Sequence, residues 1–83
     1  MRFDYGPHAL EILVERKLER AWIERTVLNP DSVEPDPNHP GRVRAFRAVP
    51  ERDGRTLRVV YVLQHGGCRI VTAHLDRGRR SRA

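Results

Sequence analysis

The sequence predicts a single α+β domain, with two N-terminal helices packed on one face of a three- to four-stranded antiparallel sheet. Three observations carry this expectation. Eighty-three residues leave room for one core and no second domain. Apolar residues recur at helical spacing as far as Leu28 and at strand spacing after Arg42. Turn pairs at Asp53-Gly54 and Gly66-Gly67 cut the second half into consecutive strands. Helices covering one face of a meander form a standard two-layer solution. The domain is expected over residues 1–76, with 77–83 a flexible basic end.

Arg2–Tyr5 alternates polar and aromatic residues and suits a small edge strand. Gly6-Pro7-His8 opens the first helix, because proline at the first helical position loses an N–H that would be unpaired anyway. Ala9, Ile12, Leu13 and Arg16 follow at i, i+3, i+4, i+7, and Leu10 and Val14 are expected to widen that stripe. The phase breaks at Lys17-Leu18. A second helix follows from about Glu19 to Leu28, with Trp22, Ile23, Thr26 and Val27 inward, and Asn29-Pro30 stops it. The loop from Pro30 to Pro40 holds four prolines, with room for a short edge strand at Val33. Strands are then expected over Arg42–Val49, Thr56–Gln64 and Cys68–Leu75, the middle one central because it is apolar on both faces.

Charge divides the chain. Residues 1–36 hold 8 acids and 5 bases, a net of −3, whereas residues 37–83 hold 3 acids and 11 bases, a net of +8. A polyanion would therefore meet the sheet and the C-terminal end rather than the helices. Fifteen of the 16 basic residues are arginine, whose planar fork suits phosphate. The single cysteine, Cys68, lies in an apolar run and reads as a small buried hydrophobe. The absence of a signal-like N-terminus or a membrane-length apolar run gives a cytoplasmic expectation and no membrane partner. No cofactor is expected, and no ligand spacing suggests a metal. So small a core invites a homodimer or a companion protein.

His8-Ala9 at a helix start, Arg16 eight residues after His8, and the helix end at Asn29-Pro30-Asp31 carry a resemblance. Leu57-Arg58-Val59-Val60-Tyr61 and Ile70-Val71-Thr72-Ala73 extend it over most of the chain. The sequence resembles the DUF4258 family of domains of unknown function, which is similar to the BrnT toxins and, more remotely, to the RelE and ParE toxins. The resemblance implies a RelE/BrnT-like fold and a toxin-like place in a type II toxin–antitoxin pair, with a small antitoxin-like protein as partner. Toxins of those families act as ribonucleases or gyrase inhibitors. The chain departs from the pattern where Ile12 replaces the first arginine of the opening motif, and where the last strand continues Thr72-Ala73-His74-Leu75-Asp76-Arg77.

Metal-independent RNA cleavage needs a base, an acid and cations around the phosphorane. Histidine suits the proton steps and arginine the charge. His8, at a helix N-terminus where the dipole favours the neutral imidazole, and His74, near the end of the last strand, are the catalytic candidates. Arg16, Arg44, Arg58 and Arg77 are the candidate phosphate contacts for RNA. Thr72, His74 and Arg58 would form one polar patch if they share a face of the sheet. Each candidate has a plainer reading. His8 would fix the helix to the sheet, Arg44 and Arg58 would pair with Glu51 or Asp53, and His39 and His65 would be surface residues. Two rival functions remain open at this point. One is a non-catalytic binder of nucleic acid or inhibitor of a host enzyme, and the other an interaction domain working through its acidic helical half.

Overall fold

The computed structural model describes residues 1–80, with side chains through Asp76. Strand β1 (Arg2–Tyr5) leads into helices α1 (Pro7–Glu15) and α2 (Arg20–Leu28). Strands β2 (Ser32–Pro35), β3 (Arg42–Val49), β4 (Arg55–Gln64) and β5 (Gly67–Arg80) follow, with a 3-10 turn at Pro50–Arg52 before β4. They form one five-stranded sheet in the order β1-β5-β4-β3-β2. The α+β class holds, but the expected three- to four-stranded antiparallel sheet is corrected. Both marginal edge strands are real, and β1 runs parallel to β5, so the sheet is mixed. The last strand also continues past Leu75 to Arg80, which places the backbone of residues 77–80 in the sheet. Residues 81–83, and the side chains of 77–80, lie outside the described part of the chain.

The parallel pairing of β1 has a local cause in β5. A Cβ on Gly67 would sit 2.0 Å from the Arg2 carbonyl oxygen, so only glycine lets the two backbones meet there. Arg2 N–H donates to the Gly66 carbonyl at 3.2 Å and starts the pairing.

The helix break at Lys17-Leu18 is a Schellman cap. Leu18 N–H reaches the Leu13 carbonyl at 2.9 Å and Lys17 N–H the Val14 carbonyl at 3.3 Å, with Lys17 left-handed at φ 54. Leu18 is thereby driven into the core alongside Leu13. Ala9, Ile12 and Leu13 are buried on α1, and Ile23, Thr26 and Val27 on α2. Leu10 and Val14 do not widen the stripe. They lie on the outer side of α1, and Val14 is 79% exposed. Trp22 is half-buried against the core rather than its centre.

The core lies between the helices and one face of the sheet, built from Val43, Ala45, Val49, Leu57, Val59, Tyr61, Cys68, Ile70 and Ala73. Strand β5 changes phase to stay in it. Tyr61 pairs with Ile70 but Val60 pairs with Thr72, leaving Val71 as a bulge. Before the bulge the even residues Cys68 and Ile70 face the helices, and after it the odd residues Ala73 and Leu75 do. Arg69, Thr72 and His74 consequently share the opposite face. Arg47 breaks the alternation of β3 from the helix side, where its guanidinium donates to the Asn29 carbonyl at the end of α2 at 2.6 Å. Asp31 fastens the same corner, accepting from Ala48 N–H at 3.0 Å.

No helix among the described residues is long and apolar enough to cross a membrane.

Candidate functional site

The sheet face turned away from the helices carries the candidate site, and strand register arranges it in rows. Asp4, Arg69, Val62 and Arg42 align across β1, β5, β4 and β3. The next row holds Thr72, Val60, Arg44 and Glu34, and the third His74, Arg58, Phe46 and Ser32. Alternate residues of a strand are roughly 6.6 Å apart, so guanidinium stems succeed one another along the face at about that step. Val60 and Phe46 are buried here, 6% and 2% exposed, directly across from Arg44 and Arg58. Arginine stems cover apolar surface while their heads stay outward, so a partner meets charge over an apolar floor.

Among the described residues, two hollows on this face concern the site. The first, about 320 Å³, lies between the β1–α1 turn and the first row, and is lined by residues 6–9 with Arg42, Val62, Gln64, Arg69, Ile70 and Val71. The second, about 350 Å³, lies beside the Asp36–His39 loop and is lined by Arg42, Arg44, Arg58, Val60 and Thr72. Arg42 lines both, so the two hollows adjoin. A third, about 260 Å³, lies round the edge of β5 with Arg16, Arg52, Arg55 and His74. The Arg58–His74 contact stands between the second and the third.

Family comparison bears on the same stretch. A family model described as a domain of unknown function, DUF4258, matches residues 5–74. The chain belongs to this family. No curated protein and no solved structure matches it. The match includes every residue of the first two hollows and His74, while Arg77 falls beyond it.

Within this DUF4258 domain the arginines differ in what already occupies them. Arg44 lies 3.5 Å from Glu34 and 3.9 Å from Asp36, both carried by or beside β2, and not near Glu51 or Asp53. Glu51 instead takes a two-point contact from Arg25, at 2.9 and 3.2 Å. Arg16 reaches the unpaired edge of β5 and donates to the Ala73 carbonyl at 2.8 Å, which makes it an edge clasp. Arg52 donates to the Lys17 carbonyl at 3.1 Å and holds the interhelical turn. Arg58 has one contact, to His74, and its buried Nε has no partner among the described residues. The Arg77 side chain lies outside the described part of the chain.

The two candidate histidines are separated. His8 lines the first hollow and His74 the third, and Ile70 and His74, which mark those two places on β5, are roughly 13 Å apart along the strand. His74 does lie directly across from Arg58, with Thr72 one row away on the same face. Its chemistry is constrained. Arginine only donates, so the Arg58 Nη2 contact at 3.4 Å makes Nδ1 the acceptor and leaves the ring proton on Nε2. Burial, then Arg58 and Arg16, hold the His74 pKa below the usual histidine range, against a smaller opposing pull from Asp76. A proton could enter only at the nitrogen that already faces a guanidinium. His74 is therefore built as a neutral hydrogen-bonding group that positions Arg58.

Sequence reasoning passed over three residues that line the two adjoining hollows, Arg42, Arg69 and His39. The loop from Asp36 to His39 joins β2 to β3, with Asp36 accepting from Asn38 N–H at 2.9 Å and lying 3.5 Å from His39. The Asn38 bond, then His39 and Arg44, hold the Asp36 carboxyl below the usual range. Tyr5 donates to Glu24 at 3.0 Å and lies under Arg20, with its hydroxyl pKa pushed up by burial and by Glu24. That contact ties β1 to α2 on the other face. Among the described residues there is no group of three or more His, Cys, Asp or Glu placed to hold a metal ion.

Proposed function

We propose that this domain binds single-stranded RNA along the open face of its sheet, chiefly through phosphate contacts. The observation that carries the reading is the register itself. It puts Arg69 and Arg42 in one row and Arg44 and Arg58 in the two that follow, over a buried apolar floor and beside two adjoining hollows. The face has no exposed aromatic platform, because Phe46 is 2% exposed, so stacking contributes little and charge dominates. A single strand fits better than a duplex, since hollows of about 320 and 350 Å³ suit individual unpaired nucleotides rather than a helix.

The toxin-like role implied by the resemblance would add neutralisation by a small partner protein, and the residues of this face support its RNA-binding half. Binding without cleavage is the favoured form. The histidines are apart, and His74 has its proton-accepting nitrogen turned to Arg58.

A fluorescently labelled RNA oligomer titrated at about 50 to 300 mM salt tests this. Single strands lose about 0.7 in the log–log salt slope per phosphate neutralised, so Arg42, Arg58 and Arg69 together predict a slope near −2. Replacing all three with alanine should abolish most of that slope while leaving the circular dichroism unchanged. An unaltered slope would refute the site. End-labelled RNA incubated in EDTA with wild type and with a His8→Ala, His74→Ala variant decides the chemistry. Cleavage by wild type alone would replace the binding reading with a metal-independent ribonuclease.

A further inference from the structure

The first hollow differs from the rest of the face in what its arginines lack. Side chains are described for eleven arginines, from Arg2 to Arg69. Eight of them have a partner: a carboxylate for Arg2, Arg25 and Arg44, a carbonyl for Arg16, Arg47 and Arg52, a tyrosine ring for Arg20 and an imidazole for Arg58. Arg42, Arg55 and Arg69 have no such partner among the described residues, and two of these three line this one hollow. The Arg69 guanidinium lies beside the β1–α1 turn, 3.8 Å from where a Cβ on Gly6 would be. Asp4, the cross-strand neighbour of Arg69, is drawn away to Arg2 at 3.5 Å.

Two guanidiniums without a partner among the described residues, with His8 and Gln64 also in the lining, make a donor-rich pocket of about 320 Å³. Val62, Ile70 and Pro7 give it an apolar side on which a sugar and base can lie. The Gly6-Pro7-His8 turn lines this hollow and not the second, with which it shares Arg42.

We infer that the hollow is a subsite for the terminal phosphate monoester of an RNA strand, held between Arg42 and Arg69. The inference rests on the RNA-binding reading and adds to it a preference for phosphorylated ends. A monoester carries close to two charges at neutral pH and offers three acceptor oxygens, against one charge on an internal diester. Planar guanidiniums contact such oxygens in pairs. The 5′ and 3′ phosphates share this chemistry.

The test compares one RNA oligomer in three forms, with a 5′ phosphate, with a 3′ phosphate and with hydroxyls at both ends. One phosphorylated form should bind on the order of tenfold more tightly than the hydroxyl form, and which one identifies the end. Arg69→Ala should erase that difference, leaving all three forms at one common, weaker affinity set by the remaining arginines. Equal binding of all three forms would overturn the subsite and leave the RNA reading intact. Titration with adenosine 5′- and 3′-monophosphate, followed by amide chemical shifts, addresses the pocket without a strand. Shifts confined to residues 6–9, 42 and 69–71 and lost in Arg69→Ala support it. No shifts with either nucleotide, together with no RNA binding, would overturn both proposals.

Discussion

Replacing Gly67 with alanine should cost far more than the same change one residue earlier, and the difference measures what holds β1 to the sheet. At Gly67 the new Cβ would meet the Arg2 carbonyl oxygen at 2.0 Å and its carbon at 2.8 Å, both backbone atoms with no rotamer to retreat into. Restoring ordinary contact moves β1 by more than an ångström, and a ladder bond near 2.9 Å does not survive that. The displaced strand takes with it Phe3 and Tyr5, which pack half-buried against the core, and the 3.0 Å Tyr5–Glu24 bond. Partial loss of two aromatic contacts and one or two hydrogen bonds gives about 3 kcal/mol. At Gly66 a Cβ meets nothing within 4 Å, and the only penalty is the left-handed backbone at φ 80, about 1 kcal/mol. Both variants change the unfolded chain identically, so the difference of about 2 kcal/mol reports the native state. Urea unfolding followed by circular dichroism measures both. A domain of this size has roughly 4 to 12 kcal/mol in total, so the Gly67 variant should show a plainly lower midpoint. Equal midpoints would refute the close approach of β1 and β5, and with it the wall of the first hollow.

Two further outcomes follow from the same geometry. Lys17→Gly should raise stability by about 0.5 to 1 kcal/mol, a rise of several degrees in Tm, because Lys17 is left-handed at the Schellman position; an unchanged Tm would argue against that cap. His74 has its folded pKa held below its ordinary value of 6.5, so acidification protonates the unfolded chain first. Stability contributed by neutral His74 is fully present above about pH 6.5 and is lost as pH falls below it, and His74→Gln should flatten that decline in a urea-midpoint series. A decline of the same steepness in the variant would assign it to other groups.

Several parts of the candidate site could be read without a structure. The charge division placed cations on the sheet half, and the run Arg58-Val59-Val60 marked a central strand with an arginine on one face. A polar patch of Thr72, His74 and Arg58 was conditional on their sharing a face, and the register supplies that condition. Arg69 was passed over because a regular alternation from Cys68 to Leu75 sets it opposite His74. The signal was present in the residues. Apolar positions are even at Cys68 and Ile70 and odd at Val71, Ala73 and Leu75, and such a change of phase within a strand marks a bulge. Arg42 was passed over because it heads a strand whose facing Arg47 and Phe46 confuse. Arg47 escapes the helix side through the end of α2, and Phe46 is buried on the other.

By itself the sequence determined the local elements. Pro7 starts α1, Asn29-Pro30 ends α2, and the period of the apolar residues separates helix from strand, all through contacts within a few residues. Only the tertiary structure decided which arginines are free. Whether a guanidinium meets a carboxylate, a carbonyl or open solvent depends on groups far along the chain, as with Arg16 on Ala73 or Arg25 on Glu51. It also decided the parallel place of β1, whose partner lies at the other end of the sequence and is admitted there by a single missing side chain at Gly67. Pairing between distant segments is set by register and close packing, which no local pattern encodes.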